Sequence, residues 1–137
     1  MNMTTSAALL ALMLTCRATQ ASDWFSLKIN SGTTEVFVDL SSIRVADGVR
    51  RGWFKFVYAP HTTHGAAEDA NKWKTEDLNR VAFNCSTENY LIEAHTEYFD
   101  DGSNWLAPAN DLLPWAPTPP DTVIRAAIQF ICAWKPK

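Results

Sequence analysis

The chain has 137 residues, 47% of them hydrophobic, with 12 basic and 15 acidic side chains and a formal net charge of −3 at pH 7. It carries no basic cluster, so the electrostatic footprint that nucleic-acid binding needs is missing and nucleic acid is not an expected partner. A chain of this length builds one core and is too short for two domains of ordinary size.

The first element is the apolar run Ala7 to Thr15, AALLALMLT. It is too short to cross a bilayer as a helix but has the length of a signal-peptide h-region. Thr19 and Ala21 place small residues three and one positions before a cleavage point, which predicts a cut between Ala21 and Ser22. Residues 1–21 are then an export signal, lost together with Cys16, and residues 22–137 remain as a single exported domain. No Lys or Arg precedes the h-region, so only the terminal amine supplies the usual positive charge. The rival reading makes Cys16 a lipid-anchored first residue. It fits less well, because Met13-Leu14-Thr15 stands where lipoprotein signals carry a sequence such as Leu-Ala-Gly. No later stretch is long and apolar enough to span a membrane.

Removal of 21 of the 137 residues leaves 116, with 11 basic and 15 acidic side chains, since Arg17 is the one charge in the signal. Two cysteines remain, Cys85 and Cys132, an even count in an oxidising compartment, and they are expected to pair. Closing so long a loop removes about 4 to 5 kcal/mol of chain entropy from the unfolded state.

Trp24 to Ile29 alternates Trp24, Ser26 and Lys28 with Phe25, Leu27 and Ile29, the period of a half-buried strand. After Ser31-Gly32 comes TTEVFVDL, rich in β-branched residues and predicted as a second strand. In IRVADGVRRGWFKFVYA, Asp47-Gly48 suits a type I′ hairpin turn, and a long strand follows from about Val49 to Tyr58. Residues 60–71, PHTTHGAAEDAN, read as a polar loop with a weak helical option around Ala66 to Ala70. Beyond it, WKTEDLNRVAFNCSTENYLIEAHTEY predicts two strands about a turn at Ser86 to Asn89, with Val81, Phe83 and Cys85 on one face.

Asp100 to Pro120 holds five of the seven prolines with Trp105 and Trp115, so it cannot form a central strand and is expected to cross the domain as a strap. After Pro119-Pro120, Asp121 or Thr122 can cap a helix running to about Trp134, with Ile124, Ala127, Ile128, Ile131 and Cys132 on one side. These elements predict an α+β domain: a mostly antiparallel sheet of five to six strands with one C-terminal helix packed on it and stapled by the disulfide.

The order of Trp24, Val36 to Asp39, Ser42-Ile43, Val81 to Cys85, Tyr98, Pro119-Pro120 and Cys132 resembles the surface-adhesin protein E family of bacterial envelope proteins. The resemblance spans nearly all of the chain after the signal. It implies a small antiparallel sheet tied by a disulfide to a C-terminal helix, and a namesake activity of binding host extracellular-matrix and plasma proteins. Fold is carried by such a resemblance much further than function. The loop at residues 60–71 matches no motif of the family, and the lipid-attachment site of some relatives is poor at Cys16.

Two clusters suggest chemistry. His61 and His64, followed by Glu68 and Asp69, have ligand types suited to zinc but lack the helical frame of a zinc-protease motif, so an unliganded polar loop is the default. Glu93, His95 and Glu97 alternate along one strand and so share a face, where a carboxylate could tune the histidine for acid-base work. The plainer reading is the wet face of a sheet whose other face carries Ile92, Ala94 and Tyr98. Trp105 and Trp115 either pin the strap or anchor a partner.

The leading expectation is therefore a non-enzymatic exported binding module of the adhesin type, with proteins of the cell surface or envelope as partners and no cofactor, catalytic residue or bound metal. The alternatives are a small periplasmic enzyme or metal-binding protein using Glu93, His95 and Glu97 or His61 and His64, and a structural envelope protein with no dedicated ligand.

Overall fold

In the computed structural model the described residues are 21–30, 32–65, 71–112 and 114–135. The expected signal segment lies outside them up to residue 20, as does the helical option at residues 66–70, which includes Glu68 and Asp69.

Alternation produces strands where it was expected. They are β1 (Trp24–Asn30), β2 (Thr34–Asp39), β3 (Arg44–Ala46), β4 (Val49–Tyr58), β5 (Lys74–Asn84), β6 (Asn89–Phe99), β7 (Asn104–Leu106) and β8 (Ala116–Pro117), followed by the helix α1 (Val123–Ala133). All described pairings are antiparallel, in the order β1-β2-β4-β5-β6-β7, with β3 also on β4 and β8 also on β6. The sheet has eight strands, against the five or six expected from sequence. The extra ones are short. β7 and β8 are pieces of the proline strap that pair with the edge of β6, where a missing proline donor is tolerated.

Asp47 and Gly48 both have positive φ, 52° and 75°, as a type I′ turn between β3 and β4 requires. Asp39 ends β2 with its side chain turned back on the chain: Oδ1 accepts from the Asp23 amide at 2.9 Å, the Ser41 amide at 3.0 Å and the Ser41 hydroxyl at 2.6 Å. The Ser42 hydroxyl then accepts from the Trp53 amide at 2.9 Å, and Ile43 enters the core. The Val36–Asp39 and Ser42-Ile43 segments therefore close a corner of the fold.

One face of the sheet is set by register. Val36 and Val38 on β2 oppose Phe56 and Phe54 on β4, and Phe54 and Gly52 oppose Asn79 and Val81 on β5. Across the next pair, Phe83 opposes Tyr90 and Val81 opposes Ile92. Residues directly opposite share a face, so these side chains form one inner surface. Helix α1 covers half of it, burying Ala127, Ile128 and Ile131 against Val36, Val38, Phe54, Val81 and Phe83. Phe54 and Phe83 meet edge to face at 5.5 Å.

The helix is held at both ends. Thr122 caps its start, the hydroxyl accepting from the Arg125 amide at 3.2 Å, an interaction worth about 1 kcal/mol. At its end Arg50 donates to the carbonyls of Ile131, at 3.0 Å, and of Trp134. Cys85, just past β5, is bonded to Cys132 across 47 residues of sequence. A loop of that size corresponds to about 4 kcal/mol of unfolded-state entropy.

Candidate functional site

The inner face continues beyond the helix, and there its chemistry changes. On β5 the inward residues are Asp77 and Asn79 where the other half has Val81 and Phe83, and on β6 they are His95 and Glu97, opposite Asn79 and Asp77 respectively. Tyr58 ends β4 beside them. Asp77, Asn79 and Glu97 are all buried, Glu97 with only 2% of its surface exposed.

This position corrects the sequence reading of Glu93, His95 and Glu97 as one wet face. Arg80 pairs with Ala94 but Val81 with Ile92, so Glu93 is the extra residue of a β-bulge. The bulge shifts the alternation by one. Ile92 and His95 consequently face the same way, and His95 and Glu97 turn inward. Glu93 meets Arg51 at 2.8 Å and Arg80 at 3.1 Å instead, two residues that stand on the opposite face of the sheet from Asn79 and Asp77. No alternation rule applied to the sequence detects the inserted residue.

The buried groups form a network. The Tyr58 hydroxyl donates to Asp77 Oδ2 at 2.5 Å, and the Lys74 ammonium reaches the same oxygen at 2.9 Å and Glu97 Oε1 at 3.2 Å. Lys74 also lies 5.0 Å above the Tyr58 ring. His95 holds Asn79 Oδ1 through Nδ1 at 2.7 Å, with Nε2 3.4 Å from Glu97 Oε1. Asp77 Oδ1, in contrast, is buried and has no hydrogen-bond partner among the described residues. Burial, followed by the hydrogen bond to Asp77 and the charges of Asp77 and Glu97, pushes the Tyr58 phenol far above its ordinary value. It is a permanent donor at any physiological pH.

Asp77, His95 and Glu97 bring potential metal-ligand atoms within 4.8 Å of one another. The Lys74 ammonium already bridges the two carboxylates, supplying the positive charge that a metal ion would otherwise bring. The arrangement is that of an ion-paired network more than of an open coordination site.

Above the network lies a cavity of about 400 Å³. Phe56, Tyr58, Tyr90 and Ile92 form its sheet side, and Trp105, Leu112 and Pro114 of the strap with Val123 of the helix form its cover. Trp105 is half-buried there, its ring edge-on to His95 at 6.1 Å. Trp115 stands apart from this lining and is 42% exposed. The two strap tryptophans, treated as equivalent from sequence, thus differ in their surroundings.

His61 and His64 converge on Trp73, whose ring lies edge-on to His61 at 5.2 Å and stacks on His64 at 3.9 Å. Gly65 follows so closely over β6 that a Cβ there would sit 2.3 Å from the Phe99 ring and 2.6 Å from Glu97 Oε2. This stretch of loop therefore seals the Glu97 end of the network and has to be glycine at that point. Sequence inspection passed over Tyr58, Lys74 and Asp77; the available signal was the period-two run Asp77, Asn79, Val81, Phe83, polar at one end and apolar at the other.

The family model for surface-adhesin protein E matches residues 24–133. Among solved structures, crystal form II of Haemophilus influenzae protein E is similar at 17% identity, with 72% of this chain and 80% of that chain covered and a TM-score of 0.52. The selenomethionine form of the same protein matches at 17% identity, 72% and 78% coverage and a TM-score of 0.49. No curated protein matches significantly. At such identity the first of these structures bears on the fold alone.

Proposed function

The chain belongs to the surface-adhesin protein E family, and from that premise we propose that it is an exported, non-enzymatic binding module that attaches to proteins at the cell surface or in its surroundings. The observation that carries this reading is the family match, which covers residues 24–133 and hence the sheet, the strap and the helix together. The surface of the strap supports it. Leu106 is 65% exposed and Trp115 42%, and aromatic side chains held on a stapled scaffold are the usual anchors of protein interfaces. Proline in the strap and the disulfide beside it lower the entropy lost when such a surface binds. Trp115, with Leu106, is thus the proposed contact, whereas Trp105 contributes by holding the strap on the sheet.

The test is adherence to immobilised extracellular-matrix and plasma proteins by a non-adherent bacterium displaying this chain. Display should confer attachment, and Trp115→Ala should reduce it several-fold without lowering the melting temperature. Display that confers no attachment would overturn the adhesive reading. Export belongs to the same proposal: envelope fractions should hold a chain starting at Ser22, as intact mass will report, while a diacylglyceryl mass on Cys16 would instead establish a lipoprotein.

A further inference from the structure

We propose that the cavity under the strap binds a small organic cation, a protonated primary or secondary amine carried on an apolar body of about the size of one aromatic ring. This site is separate from the strap's outer surface and does not depend on the adhesive reading.

Its volume, about 400 Å³, falls within the range of small-molecule sites. Its lining is divided. Phe56, Ile92, Leu112, Pro114 and Val123 offer an apolar bed, while Asp77, Asn79 and His95 gather at one end. The charged side chains that line it are both carboxylates, Asp77 and Asp111, and neither Lys nor Arg is among the described lining residues. Behind the wall, the Lys74 ammonium bridges Asp77 and Glu97. The cavity therefore favours positive charge, and Tyr58, Tyr90 and Trp105 add aromatic rings of the kind that attract cations.

The hydrogen bonding narrows the class. Both donors to Asp77, Tyr58 and Lys74, use Oδ2, and Oδ1 is left buried with no partner among the described residues. A buried acceptor of this kind is satisfied by a ligand that brings its own N–H. A quaternary ammonium would supply charge without a donor, an alcohol a donor without charge, and a carboxylate would meet repulsion. Of these head groups, the protonated amine answers both requirements.

Isothermal titration of the mature protein near pH 7 tests this with phenethylammonium, phenethyl alcohol and hydrocinnamate, which share one ring and differ in the head group. Phenethylammonium should bind at least about ten-fold more tightly than either of the others. Asp77→Asn, which keeps the shape of the side chain and removes the charge, should abolish that preference. Should Asp77→Asn fail to fold, the exposed Asp111→Asn takes its place and should weaken the amine about three-fold without changing the alcohol. Equal affinity for amine and alcohol, no binding of the amine at millimolar concentration, a preference that survives in Asp77→Asn, or an amine affinity unchanged in Asp111→Asn would each overturn the proposal.

Discussion

The inner face of the sheet carries two neighbouring halves built on the same strands, and they are made in opposite ways. Under the helix, Val36, Val38, Phe54, Val81 and Phe83 meet Ile128 and Ile131 with no buried charge among them. Under the strap, Tyr58, Asp77 and His95 line a cavity, with Lys74 and Glu97 bonded to them from behind. The change happens within two residues of β5, from Val81 to Asn79, and at the bulge of β6. One half has the dispersion and hydrophobic contacts that stabilise a small domain. The other carries polar groups whose burial is costly unless satisfied, an arrangement that stability alone does not explain.

The largest effect should come from the helix half. Cys85→Ser should lower unfolding stability by about 4 kcal/mol, measured by urea denaturation of the oxidised protein, because the loop constraint disappears. If the loss were below about 1 kcal/mol, apolar packing alone would be holding the helix.

Next comes the strap half. Lys74→Met leaves Asp77 and Glu97 facing each other without their shared cation, and the expected loss is about 3 kcal/mol. The Cys85–Cys132 bond should remain formed, as thiol titration of the variant will report. A neutral outcome would show that the polar half contributes nothing to cohesion and would sharpen the division between the two.

A smaller effect appears in base. The Tyr58 phenol is raised above its ordinary value by burial and by Asp77, so the folded state keeps a proton that the unfolded chain loses near pH 10. Its contribution is therefore complete below about pH 10 and is lost as pH rises beyond that. Ultraviolet titration should show one of the three tyrosines ionising only as the protein unfolds, and Tyr58→Phe should remove that step.

The smallest lies outside both halves. Bonds from Ser103, then Lys72, hold the exposed Asp101 carboxyl down to about 2. Its stabilising share is present above the ordinary carboxylate value near 4 and fades as pH falls toward about 2. Backbone amide shifts of Asp101 to Ser103 across acid pH should move in Asp101 and stay fixed in Asp101→Asn.

What the sequence by itself determined is local or pairwise. The alternation of β2, β4 and β5, the Asp47-Gly48 turn, the Thr122 cap and the apolar stripe of α1 each depend on residues a few positions apart. The disulfide followed from counting cysteines. What only the tertiary structure decided is which residues meet. Tyr58, Lys74, Asp77 and Glu97 come from three strands and converge through register alone, which the composition of no single strand encodes. The bulge at Glu93 went unseen because one inserted residue reverses the facing of every later side chain while leaving the local pattern of residue types unchanged. The separate fates of Trp105 and Trp115 were equally out of reach: the strap bends around prolines, where no period relates one side chain to the next, and only its pairing with β6 turns Trp105 to the cavity and Trp115 to solvent.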